Sequence, residues 1–84
     1  MQNDEIQSLI MGGIPGASVV INGEDGTHFE ALVISDLFAG KSMVQRHQMV
    51  YRALGEKMGR DIHALSIQTF TAEEWEKQKG IRLA

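Results

Sequence analysis

Three imidazoles, His28, His47 and His63, are the side chains of this 84-residue chain best suited to soft-metal ligation or proton chemistry near neutral pH, because the chain contains no cysteine. Without thiols it can form neither a disulfide nor an intrinsic thiolate metal site. His63 stands in "RDIHALSIQTFTAEEW" (60–75), at the point where an apolar alternation begins. His28 opens an apolar run just after the turn "GEDG", and His47 falls within the apolar stripe of a predicted helix. Neither H-x-x-H nor H-E-x-x-H spacing occurs, so spacing alone assembles no metal site. Read only by position, His47 is a core-edge histidine satisfied by a hydrogen bond. On the same reading His28 is an ordinary polar strand residue, and His63 gains nothing from its spacing.

The other reactive side chains offer less. The serines sit at helix caps or in strands, and no G-x-S-x-G occurs. "FAGKSM" contains G-K-S without the earlier glycine of a phosphate-binding loop. The acidic pairs Glu24-Asp25 and Glu73-Glu74 read as a solvated turn and a dipole-favouring first helical turn. An enzyme is therefore not expected. The net charge of -3 argues against nonspecific attraction to nucleic acid or anionic lipid. The basic residues Lys41, Arg46, Arg52, Lys57 and Arg60 read as a solvated helix face. No apolar run is long enough to span a bilayer and the N-terminus lacks signal-peptide character, so a cytoplasmic protein is expected. The 43% hydrophobic composition suits one globular domain over residues 1–84.

The elements that must position these residues follow from patterning. Asp4 is the expected N-cap of a short helix carrying Ile6, Leu9 and Ile10 on one face, stopped by Gly12 and Gly13. "ASVVIN" and "THFEALVIS" read as strands joined by a tight turn, hence an antiparallel hairpin. Ser42 to Gln45 forms a capping box, so a helix starts at Met43. Its expected inward stripe is Val44, His47, Val50 or Tyr51, Leu54 and Met58. Gly55 can split this helix, and Gly59 can end it. "HALSIQTF" is a third strand, with Leu65 and Ile67 sharing the parity of His63. Thr71 to Glu74 is a second capping box, stapled by Phe70 and Trp75; its helix is expected to fade at Gly80. The order α-β-β-α-α-β-α, with a right-handed crossover, predicts a three-stranded mixed sheet in an α+β fold with helices on one face.

"FAGKSMVQRHQMVYRALGEKM" followed by "DIHALSIQTFTAEEW" closely resembles the BolA family, in particular its short bacterial members. The pattern is carried by Phe38, Gly40, Arg46, His47, Val50 and Leu54, then Ile62, His63, Ala64 and Leu65, then Thr71, Glu74 and Trp75. The likeness extends over essentially the whole chain. It implies a class II KH-like fold, although no GXXG lies between the helical pieces of the β-α-α-β unit, where a working KH module carries it; the GXXG stretches of this chain, GIPG (13–16) and GEDG (23–26), both come before the second strand. It further implies a monothiol glutaredoxin as partner, with a [2Fe-2S] cluster bridging the heterodimer in iron–sulfur trafficking or iron sensing. The glutaredoxin supplies a cysteine, glutathione a second thiolate, and this chain His63. No cofactor is expected in the isolated chain.

Relatives place a second ligand in the loop between the first two strands. Here that loop is compressed to "NGEDG" and holds neither Cys nor His. His28 is therefore the candidate second ligand; Asp25 offers a hard oxygen that suits iron–sulfur chemistry poorly. The family also implies an alternative, a KH-like DNA-binding transcriptional regulator. An adaptor acting without metal and self-association of the apo chain both stay open.

Overall fold

The structure, a computed structural model, describes residues 2–23, 28–58 and 64–83, with side chains to residue 79. Its elements are α1 (Asn3–Gly13), β1 (Ser18–Asn22), β2 (His28–Ile34), α2 (Met43–Leu54), β3 (Ala64–Phe70) and α3 (Ala72–Leu83). Single 3₁₀ turns occupy Asp36–Phe38 and Gly55–Lys57. The second of these is the short helical piece expected after Gly55. The strands form one sheet in the order β1-β2-β3. β1 and β2 are antiparallel, β2 and β3 parallel, as the hairpin and helical crossover require. This is the expected α+β fold with a mixed three-stranded sheet.

One face of the sheet buries Val19, Phe29, Ala31 and Val33 against Ile6, Ile10 and Ile14 of the first helical segment and Val50 and Leu54 of α2. Phe38, fully buried, belongs to the same core. Leu65 and Ile67 are half-buried beside it. On the opposite parity lie Val20, Asn22, His28, Glu30, Ala64, Ser66 and Gln68, all exposed.

One feature of α1 differs from expectation: Gln2 rather than Asp4 is the N-cap, and its N–H donates to Glu5 Oε1 at 3.0 Å. The helix stops as expected, with Gly12 and Gly13 as its last two residues. Gly13 has a tertiary role as well. A Cβ there would overlap the Ala53 side chain and lie 2.9 Å from the Ala53 Cα, so glycine permits α1 and α2 to approach closely. A Cβ at Gly12 would meet nothing within 4 Å.

α2 begins where the capping box places it. Gln45 N–H donates to Ser42 Oγ at 3.2 Å, and Ser42 N–H donates to Gln45 Oε1 at 2.9 Å. Its rotation differs from the expected stripe. Val44 is exposed (66%) and Tyr51 is exposed, whereas Arg46, Val50 and Leu54 face inward. Met58 and His47 are half-buried, and Gly59 lies outside the described residues.

α3 also starts as expected. Glu74 N–H donates to Thr71 Oγ1 at 3.2 Å, and Thr71 N–H to Glu74 Oε1 at 2.9 Å. The Phe70 and Trp75 rings pack tilted with centroids 5.4 Å apart. Its helical backbone continues past Gly80 to Leu83. Trp75 and Gln78 border a groove of about 470 Å³ floored by Val20, Leu32 and Gln68 on the exposed sheet face. Among the described residues no helix is long and apolar enough to cross a membrane.

The glycine pair in α1 gives a contrast testable by chemical denaturation. Gly13→Ala should destabilise the fold by about 1–3 kcal/mol through overpacking against Ala53. Gly12→Ala should stabilise it by roughly 0.5 kcal/mol through helix propensity alone.

Candidate functional site

His28 is the first residue of β2, and its position follows from the turn before it. A Cβ at Gly23 would sit against the Phe29 ring, 2.8 Å from Cε1, so only glycine lets the chain leaving β1 pass over this buried aromatic. Asn3 Nδ2 donates to the Gly23 carbonyl at 3.4 Å and ties the same point to α1. With Phe29 anchored inward, the β-strand alternation turns His28 to the exposed face.

The parallel register then determines what lies beside it. His28 pairs with Ala64, Phe29 with Leu65 and Glu30 with Ser66. Asn22, Gly23, His28, Glu30, Ala64 and Ser66 line an open depression of about 490 Å³ at this end of the sheet. Ala64 directly follows His63 in the sequence. His63 itself, and Asp25 in the hairpin turn, lie outside the described residues. Among the described residues no group of three or more His, Asp or Glu side chains is placed to hold a metal. Among the described residues the potential donors lining the depression are the His28 imidazole and the Glu30 carboxylate, in a chain with no thiolate. Two donors are fewer than the roughly four that a closed metal site needs.

His47 occupies a different place, on α2, away from the depression. The hydrogen bond expected for it is missing at one nitrogen: Nε2 is buried and has no partner among the described residues. Neither His28 nor any residue lining the depression shares its helix.

The interaction that patterning missed is an ion pair joining α2 to α3. Arg46 is buried instead of belonging to a solvated basic face. Its Nη1 and Nη2 donate to Glu74 Oε1 and Oε2 at 2.6 and 3.1 Å, a fork-to-fork pair. Its Nε donates to the Lys41 carbonyl at 3.0 Å, and its guanidinium lies 5.8 Å from the Phe38 ring centroid. Glu74 therefore does more than cap α3. The hydrogen bond from Arg46, with a second from the Thr71 N–H, lowers its pKa to about 2. In return Glu74 raises the pKa of Arg46. No local sequence signal joins positions 46 and 74; only the recurrence of both in one family pattern pointed to them.

The family model for BolA-like protein matches residues 14–74. The chain belongs to the BolA family. It is 39% identical over 82 residues to the acid stress protein IbaG of Escherichia coli K12, covering 96% of both chains. A bolA protein homologue from Coxiella burnetii superposes with a TM-score of 0.82 and 42% identity, covering 90% of this chain and 97% of that one. The DNA-binding transcriptional regulator BolA of E. coli K12 is 40% identical over 50 residues, 60% of this chain and 48% of that protein. The described motif positions of this BolA-family chain can now be sorted. Phe38, Val50 and Leu54 are core; Arg46, Thr71 and Glu74 form the clamp; Trp75 staples α3.

The clamp predicts a specific acid response. The pKa of Glu74 is lower folded than unfolded, so its contribution is full above the ordinary carboxylate pKa and is lost as pH falls towards about 2. Denaturation midpoints should fall across that window. Glu74→Gln should lower the midpoint at neutral pH and flatten the fall; an unchanged acid slope would remove Glu74 as its source.

Proposed function

We propose that this BolA-family chain is a binding module, not an enzyme. It pairs with a monothiol glutaredoxin and lends imidazole to a [2Fe-2S] cluster held between the two proteins with glutathione. The observation that carries this reading is the β2–β3 register. It sets His28 beside Ala64, one residue after His63, at the rim of an exposed depression. Consecutive Cα atoms are about 3.8 Å apart and neighbouring strands about 4.8 Å. His28, the second choice of ligand, thus stands at the end of the sheet where β3 starts; His63, the first choice, precedes Ala64 in the sequence and lies outside the described residues.

The absence of thiols accounts for the partner. When bound, the cluster supplies one-electron chemistry and transferable iron and sulfide. This chain supplies neutral nitrogen donors in place of thiolate, which raises a cluster's potential. It must hold the donating imidazole deprotonated, so binding competes with protons. The exposed placement of His28 leaves the site open to a partner's surface and suits delivery or sensing better than permanent storage. Such a role belongs in the cytoplasm, where monothiol chemistry is sustained.

The test is co-expression with a monothiol glutaredoxin, followed by purification, iron analysis and visible absorption spectra. The wild-type chain should co-purify as a coloured heterodimer. His63→Ala should lose most of the bound iron, and His28→Ala should shift the spectrum or shorten its lifetime. Unchanged spectra and lifetime in His63→Ala would remove that residue from the ligand set.

The second reading is a DNA-binding regulator, favoured by the likeness to the DNA-binding transcriptional regulator BolA of E. coli K12. The electrostatics offer it little support. Arg46 is committed to Glu74, and Lys77 and Lys79 pair with Glu73 and Glu76 on their own helix. Titration with duplex DNA at two salt concentrations discriminates: phosphate-led binding should weaken steeply as salt rises. No binding at low salt would dismiss this reading.

A further inference from the structure

Burying Arg46, Val50 and Leu54 turns the opposite side of α2 to solvent. Val44 stays 66% exposed there and Tyr51 42% exposed, with Met43 58% exposed at the start of the helix. Val44, Gln48 and Tyr51 are spaced by four and three residues, so they form one stripe along the helix. Arg52, one turn beyond Gln48, extends it. Gln48 and Arg52 are also exposed. The core meets α2 at Val50 and Leu54 and α1 meets it at Ala53, so neither covers this stripe. Tyr, Met and Arg are side chains enriched where proteins meet.

Charge selects what covers it. From Leu37 to Gly55 the chain carries Lys41, Arg46 and Arg52 and no acidic residue, although its net charge is -3. Arg46 is neutralised by Glu74, but among the described residues the side chains of Lys41 and Arg52 have no hydrogen-bond or ion-pair partner. They stand at the two ends of the stripe, roughly 16 Å apart along the helix. Lys41 directly precedes the N-cap Ser42, where the helix dipole disfavours a cation and favours an incoming carboxylate. We infer that this outer face of α2 docks an acidic amphipathic helix of a partner protein, with apolar side chains on Val44 and Tyr51 and carboxylates at Lys41 and Arg52.

Other occupants fit less well. A second copy of this face would set Lys41 and Arg52 against like charges in either helix direction. Two free cations and two apolar side chains are a small foothold on an anionic bilayer, whose binding helices are rich in Lys and Arg. Phosphate-led binding to nucleic acid draws on many more basic contacts. An acidic protein helix needs only charge pairs at the rim and an apolar centre, the ordinary layout of an interface. The stripe points away from the sheet, whose opposite face carries His28, so this docking does not rest on the cluster reading.

Titration of the ¹⁵N-labelled full chain, followed by amide shifts, tests this. The probe is a synthetic amphipathic helix carrying two glutamates roughly 16 Å apart on the face that bears two leucines. A twin with lysine in place of glutamate is the control. The acidic peptide should shift the Val44, Gln48, Tyr51 and Arg52 amides together, and the lysine peptide should not. Lys41, Tyr51 and Arg52 are exposed, so variants there keep the fold, which circular dichroism checks. Tyr51→Ala should weaken binding about ten-fold. K41E/R52E should weaken the acidic peptide by about ten-fold or more and bind the lysine peptide instead. Failure of the acidic peptide to move these amides would overturn the inference, as would equal binding of the two peptides by the wild-type chain. Shifts of the same amides on concentrating the chain alone would assign the face to a second copy. Tighter binding there of duplex DNA or phosphatidylserine vesicles would assign it to phosphate; either result overturns the protein partner.

Discussion

The parallel pairing of β2 with β3 is the constraint on which the rest of the structure depends. A hairpin alone would be a two-stranded ribbon, too small to hold a core. Because β3 returns parallel, the chain must cross over, and α2 is that crossing. The crossing delivers Val50 and Leu54 under the sheet beside the α1 isoleucines. The same register sets the first residues of β2 and β3, His28 and Ala64, side by side. It also leaves β3 as a border strand of the sheet.

The Arg46–Glu74 pair secures the other end. α3 follows β3 with a small apolar contribution of its own, mainly Trp75 on Phe70. A forked ion pair to a buried arginine fixes where α3 leaves the sheet and closes the crossover from α2. Pairs of this kind cost desolvation, which the added Lys41 carbonyl and Thr71 N–H bonds offset by satisfying the remaining donors and lone pairs. Phe38, Arg46, Val50, Leu54, Thr71, Glu74 and Trp75 of the BolA pattern thus hold the fold.

Local signals carried much of this fold on the page. The two capping boxes, the Phe70–Trp75 staple, the hairpin and the crossover were all legible, because each depends on residues close together in sequence. The rotation of α2 was not. That helix is apolar on more than one side, and Val44 and Tyr51 compete with Val50 and Leu54 for the inward face. Arg46 decides the choice, through a partner 28 positions away. The second role of Gly13 was not legible for the same reason: it answers to Ala53, a neighbour in space only. At the candidate site, His28 and its strand were readable, but its proximity to Ala64 required the register. The role of His63 came from family resemblance, since spacing alone never distinguished it.

The central claim is that an imidazole of this chain binds iron in the heterodimer. Pulsed electron paramagnetic resonance of the reduced complex, with this chain alone labelled with ¹⁵N-histidine, tests it most directly. A strong histidine nitrogen coupling that changes with the isotope and is weakened in His63→Ala is expected. A cluster-loaded heterodimer with no such coupling would contradict it.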